Sequence, residues 1–196
     1  MKNLELISVE KSPKGVVVIH NPTDYPLIGS GKQGAVFKLS EKYCAKIFAS
    51  QKDFKKEYKA YIRAQGSPII PKLYGVGPKY IIIEYIKGIT LKEYLRKKRA
   101  LPISLIKQIL SAFHEMKRLK FTRINVRLKH IILTQKHKFK IIDHVNSFTL
   151  VEIKPILLFN ELPNLGLLHH FLRQVKKLDK KIYSEWNQSM SKYFKA

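Results

Sequence analysis

Three glycines at positions 29, 31 and 34 stand in a G-x-G-x-x-G run, Ile28-Gly29-Ser30-Gly31-Lys32-Gln33-Gly34-Ala35-Val36. A lysine follows inside an apolar stretch, Cys44-Ala45-Lys46-Ile47-Phe48. Glycines let a backbone approach an anion closely and offer it N–H groups, and a lysine adds a mobile point charge. The chemistry such a pair supports is phosphate binding. Glycine spacing alone is shared by dinucleotide sites, phosphate flaps and ordinary hairpins. A dinucleotide loop opens a helix, whereas Val36, Phe37 and Leu39 continue as a strand up to the turn at Ser40-Glu41-Lys42.

Two acids belong to the same reading. Ser50-Gln51-Lys52-Asp53 is a helix start with a hydroxyl cap, and the helix is expected to run to about Gln65 and stop at Gly66. Its apolar stripe is Phe54, Tyr58, Tyr61 and Ile62, and Glu57 projects from that stripe, three residues after Phe54 and four before Tyr61. A buried carboxylate needs a partner, and Lys46 is the candidate. Asp143 ends an apolar hairpin, Ile131 to Thr134 and Phe139 to Ile142. Its carboxylate is the kind of hard oxygen ligand that magnesium requires.

Strand, glycine loop, strand, turn, then a strand bearing a lysine resembles the protein-kinase superfamily, with a minimal helical lobe of the Rio or lipopolysaccharide-kinase type. The resemblance covers about residues 25 to 150 and implies a Ser/Thr protein-kinase-like use of ATP with Mg2+ (or Mn2+). It places Ile28, Gly29, Ser30, Gly31, Lys32, Gln33, Gly34 and Val36 over the nucleotide, with Lys46 on the phosphates and Glu57 holding Lys46. It puts Glu84, Tyr85 and Ile86 at the adenine edge. Asp143 takes the place of the D-F-G aspartate in an Asp143-His144-Val145 triplet that lacks the glycine.

The loop ahead of the hairpin departs from the family pattern. Asn125 stands where the catalytic aspartate belongs, and His130 stands where a metal-binding asparagine belongs. Arg127 takes the position of a lysine that faces the γ-phosphate. An amide cannot accept a hydroxyl proton at neutral pH, a role that contributes about 10²–10⁴ in rate. Imidazole is a poor ligand for hard magnesium, although His130 is also an improvised base if the loop bends differently. These changes imply a pseudokinase or a slow kinase. Its protein acceptor is unknown.

The chain has 196 residues, enough for one domain or two small lobes. Thirty-eight Lys and Arg against 14 Asp and Glu leave a net charge of +24. Such a surface suits nucleic acid, anionic lipid or an acidic protein, and the alternative function is a non-catalytic basic scaffold for RNA, a ribosomal surface or an acidic partner. Small-molecule phosphotransfer ranks last, because an aminoglycoside needs an acidic pocket and the C-terminal part has few carboxylates. A single cysteine, Cys44, excludes an internal disulfide framework and suits a reducing cytoplasm. The N-terminus lacks the apolar core of a signal peptide, and no stretch has the length of a membrane span, so a cytoplasmic protein without membrane insertion is expected.

The fold class expected is α+β. Residues 1–86 form an N-lobe with a small antiparallel sheet and one helix, and residues 87–196 form a helical, truncated C-lobe. Leu4 to Val9 and Val16 to His20 read as an extra hairpin turning at 11–15, and Lys79 to Ile86 as a buried strand. Thr90-x-x-Glu93 is a capping box for a short helix, Pro102 opens a longer one to Leu119, and two closing helices span 165–178 and 179–194. His114, His169 and His170 read as packing or edge residues.

Overall fold

A computed structural model describes residues 3–194, so Met1 and Lys2 of the N-terminal reading lie outside the described residues. The chain is α+β, as expected, with antiparallel sheets and, among the described residues, six α-helices. This is compatible with a small kinase-like fold. It divides into two compact units. The first comprises the residues up to Ile86 together with Asp143–Thr149, and the second Lys87–Ile142 together with the residues from Leu150 onward. The short segment that begins at Asp143 therefore packs with the first unit, although the hairpin leading to it belongs to the second.

In the first unit β1 (Ser8–Ser12) and β2 (Gly15–His20) form a separate antiparallel hairpin. The strand starts later than the apolar run suggests, because Leu4–Leu6 winds into a 3₁₀ turn and Ser12 pairs with Gly15 across the two-residue tip. The main sheet contains β3 (Leu27–Ser30), β4 (Gly34–Lys38), β5 (Tyr43–Phe48), β6 (Leu73–Val76) and β7 (Tyr80–Glu84) in the order β3-β4-β5-β7-β6. Ala35, Phe37, Ala45, Ile47 and Ile82 join Leu4, Ile7 and Val16 of the N-terminal segment in one apolar core. Alternation along the strands turns Val36, Lys46 and Ile81 to the opposite face, where they sit side by side in register. From that face Lys46 meets helix α1 (Gln51–Arg63).

Helix α1 starts as its sequence dictates, with Ser50 Oγ accepting the Asp53 N–H, and Gly66 at φ +84° follows its end. Phe54, Glu57, Ala60 and Tyr61 are buried, whereas Ile62 is exposed; Ala60 takes the inward position that the stripe assigned to Ile62.

The second unit opens with β8 (Gly88–Thr90), a strand the sequence did not suggest. It pairs with β9 (Ile131–Thr134), which pairs in turn with β10 (Phe139–Ile141). Helix α2 (Leu91–Lys98) has both halves of its capping box, and the Thr90 N–H and hydroxyl hold the Glu93 carboxyl below its ordinary range. Helix α3 (Ile103–Arg118) follows Pro102. The apolar stretch after Pro155 makes a short helix α4 (Ile156–Glu161) before α5 (Leu168–Leu178) and α6 (Lys180–Ser189). The first closing helix thus begins at Leu168, because Pro163 and Gly166 (φ +69°) form a 3₁₀ turn ahead of it. Trp186 fills the centre of this unit, 5.6 Å from Phe113, 5.3 Å from Phe159 and 6.1 Å from Phe171 between ring centroids. His114 is an edge residue, bonded to Asp179 at 2.8 Å, and Asp179 also caps α6. No helix among the described residues is long and apolar enough to cross a membrane.

Candidate functional site

The first unit brings together one group of the expected residues. The glycine loop is a tight β3–β4 connection in which the Gly31 N–H donates to the Gly34 carbonyl at 3.0 Å. Only one of the three glycines is dictated by its surroundings. A Cβ on Gly34 would sit 2.3 Å from the Ile47 carbonyl oxygen, whereas Gly29 and Gly31 have open space or ordinary contact. Gly34→Ala is expected to force β4 from β5 and cost about 1–3 kcal/mol, read as a lowered urea midpoint.

The N-terminal hairpin, for which the sequence suggested no chemistry, holds this loop. The Val16 N–H donates to the Gly31 carbonyl at 2.8 Å, and Ser30 Oγ donates to the Val16 carbonyl. Gly15 makes the approach possible: its φ is +133°, and a Cβ there would lie 3.1 Å from the same Gly31 oxygen. Lys11 also reaches Asp53 at the start of α1, at 2.9 Å.

On β5, Lys46 Nζ lies 2.5 Å from Glu57 Oε2, with side-chain exposures of 11% and 1%. Burial lifts the Glu57 carboxyl above its ordinary range; Lys46 and the backbone N–H of His144 pull it down, and the Asp143 carboxylate pushes it further up. Lys46, Glu57 and Asp143 are therefore one electrostatic cluster. Asp143 holds φ +69°, a left-handed conformation that non-glycine residues adopt rarely. His144 is buried beside it, edge-on to Tyr61 at 5.5 Å. Cys44 is buried too, and burial pushes its thiol up to about 12, which leaves it inert as a nucleophile.

At the end of β7 the backbone is already partly committed. The Glu84 N–H donates to the Lys72 carbonyl at 2.8 Å and the Tyr85 N–H to the Lys42 carbonyl at 2.9 Å. Of the three N–H groups assigned to the adenine edge, that of Ile86 is the one without a partner among the described residues.

Asn125, Arg127 and His130 belong to the second unit. Asn125 is buried and its amide is fully used: Nδ2 donates to Glu152 Oε2 at 3.1 Å, and Oδ1 accepts the Leu157 N–H at 2.8 Å. Arg127 is exposed, and its guanidinium has no partner among the described residues. His130 closes a 3₁₀ turn, Leu128–His130, and donates its backbone N–H to the Arg127 carbonyl.

Glu152 is the residue that sequence reasoning missed. It sits in an extended segment bridged in parallel to Arg123, with the Ile124 N–H on the Glu152 carbonyl and the Glu152 N–H on the Thr122 carbonyl, both at 2.9 Å. Arg123 Nε lies 2.6 Å from Glu152 Oε2 and holds the carboxyl below its ordinary 4.5; partial burial opposes this and Asn125 adds to it. The stabilisation is complete above that ordinary value and is lost as pH falls through the lowered one. Glu152→Gln is expected to flatten the acid limb of the melting temperature, measured from about pH 6 to about pH 3.

Among the described residues no three His, Cys, Asp or Glu side chains converge as a metal cage. Asp143 offers one hard carboxylate, a donor set that suits magnesium where the remaining ligands are phosphate oxygens and water. The imidazole of His130 is the wrong donor for that ion.

No family model matches the chain. A curated protein of Bacillus subtilis (strain 168), described as "Putative serine/threonine-protein kinase YrzF", is 32% identical over 122 residues, which make up 60% of this chain and 57% of that protein. The chain thus matches less than two thirds of that relative's length, and the similarity is a kinase-like relationship.

Proposed function

We propose that the chain binds ATP in the manner of a Ser/Thr protein kinase, transferring the γ-phosphate to a protein hydroxyl weakly or not at all. The observation that carries this reading is the buried Lys46–Glu57 pair beside Asp143, in the same unit as the glycine loop. A buried pair contributes little to stability alone, and a lysine held on the central strand of the sheet is suited to phosphate. The similarity to a protein described as a kinase supports the same class. In this reading Lys46 neutralises phosphate charge, Glu57 orients Lys46, and the carboxylate of Asp143 holds a divalent cation. Magnesium supplies charge neutralisation between the phosphates when bound.

The test is a thermal-shift titration with ATP, with and without Mg2+ or Mn2+, on wild type and Lys46→Ala. A shift of several degrees that is lost in Lys46→Ala supports nucleotide binding, and a metal requirement supports Asp143. No shift under any condition sinks the reading. The net charge of +24 would then favour the basic scaffold, whose binding to RNA or an acidic protein should fall steeply with salt.

A further inference from the structure

Charge divides unevenly between the two units. Residues 87–142 and 150–196, the second unit, hold 24 of the chain's 38 Lys and Arg but only six of its 14 Asp and Glu. All six acids are already engaged. Glu93 caps α2, Glu161 accepts the Leu128 N–H, and Asp179 caps α6 beside His114. Glu115, Glu152 and Glu185 pair with Arg118, Arg123 and Lys117. None of them reaches the basic end of α2, where Arg96, Lys97, Lys98 and Arg99 are exposed and without an ion-pair partner among the described residues. The helix dipole accounts for cations in this last turn. It does not account for Arg99, which ends the helix at φ +53°, a left-handed position that glycine fills without penalty. A residue held there against its backbone preference points to a use for its side chain.

The patch continues onto α5. His170 Nε2 lies 3.1 Å from the carbonyl oxygen of Leu101, two residues past Arg99, so the first turn of α5 abuts this loop. Arg173 and Lys177 follow His170 at helical spacing, and both are exposed with no ion-pair partner among the described residues. A strip of cations thus runs from the end of α2 along α5, and what it fits is a row of regularly spaced anions. A protein partner requires an apolar centre and a membrane an apolar face to insert, yet Ile103 is the single large apolar residue exposed beside this loop. No aromatic ring stands among the exposed large apolar residues described in this unit, so unpaired bases have no platform on which to stack. A duplex keeps its bases stacked within and presents its phosphates outside. We infer that the strip from Arg96 to Lys177 binds the sugar–phosphate backbone of a double-stranded nucleic acid without reading base sequence. The guanidinium groups match pairs of phosphate oxygens, and the lysines act as point charges. The inference uses residues of the second unit alone and does not depend on a nucleotide in the first.

The test is fluorescence anisotropy of the full chain with a labelled RNA duplex of about 20 base pairs and the DNA duplex of the same sequence, from about 50 to about 300 mM KCl. Wild type should bind both, with log Kd rising linearly with log salt. Arg99→Gln/Arg173→Gln/Lys177→Gln should bind about tenfold more weakly or worse at about 100 mM KCl and flatten that slope by about two to three. The control Lys52→Gln/Lys55→Gln/Lys59→Gln removes the same charge from exposed positions of α1 and should change Kd by less than about threefold. Arg99→Gly, which relieves the left-handed conformation, should melt at or above wild type and still bind more weakly, so that its lost affinity is not lost folding. Equal weakening of the two triple variants overturns the inference, because net charge alone then suffices. So does wild-type affinity in Arg99→Gly, or failure of wild type to bind either duplex at about 100 mM KCl. Tighter binding to single-stranded RNA, to phosphatidylserine vesicles or to poly-glutamate than to the duplexes overturns it as well.

Discussion

Lys46→Ala should destabilise the first unit by about 3–5 kcal/mol, because it leaves the Glu57 carboxylate buried with its counter-charge gone. The magnitude follows from where the two groups sit. An exposed pair of the same geometry is worth about 1 kcal/mol or less, since water solvates each partner when the other is removed. Glu57 has 1% of its side chain exposed, and the Asp143 carboxylate, of the same sign, also acts on it. The variant has two escapes, protonation of Glu57 or local opening of α1. Burial already raises the Glu57 carboxyl, so protonation will dominate and the deficit should shrink as pH is lowered. The measurement is urea unfolding followed by circular dichroism at neutral and at mildly acid pH. A double variant, Lys46→Met/Glu57→Leu, should recover most of the loss, since apolar residues of similar volume replace a buried pair at little or no cost. A Lys46→Ala effect below about 1 kcal/mol would mean that the pair is solvated, and the argument from burial would fail.

Trp186→Ala should cost the second unit a comparable about 3–5 kcal/mol. Trp186 is 3% exposed and meets the rings of Phe113, Phe159 and Phe171 from three different helices, so truncation empties the place where α3, α4 and α5 converge. Rigid aromatic walls collapse poorly, which puts the cost at the upper part of the range. It is also the single tryptophan of the chain. Wild-type tryptophan emission therefore follows unfolding of the second unit alone, while circular dichroism follows both. The Trp186→Ala chain must be followed by circular dichroism, where a lowered midpoint for the larger helical component is expected. Trp186→Phe should lose less than half as much, because most of the ring volume stays.

Much of the first unit's chemistry was legible because it depends on short-range periodicity. Phe54, Glu57 and Tyr61 fall on one helical face at fixed intervals, and a carboxylate on that face next to a strand lysine has few alternatives to pairing with it. Thr90 and Glu93 likewise carried their own local signal, and both halves of the cap are present. The strand β8 escaped because three residues ahead of a cap leave no alternation to read. Helix α4 escaped because six residues ending in Asn160-Glu161 before Pro163 carry less than two turns of pattern. Glu152 could not be found from periodicity at all. It lies 27 residues from Asn125 in an irregular segment, and only the parallel bridge at Arg123 brings the two together. The hold of the N-terminal hairpin on the glycine loop was hidden for the same reason: one backbone hydrogen bond and one from the Ser30 hydroxyl make it, between segments about fifteen residues apart with no periodic signal to join them.

That hold has a thermodynamic consequence for any anion the loop receives. A free glycine-rich loop samples many backbone conformations, and ordering each residue costs about 1–2 kcal/mol of conformational entropy at the moment of binding. Here the Val16 N–H and Ser30 hydroxyl restrict Ser30 and Gly31 during folding, before any ligand arrives. Part of the ordering cost is thereby moved from association to folding, where the apolar core under Leu4, Ile7 and Val16 offsets it. Residues 4–20 thus act at a distance from any phosphate by narrowing the set of shapes that the loop must give up.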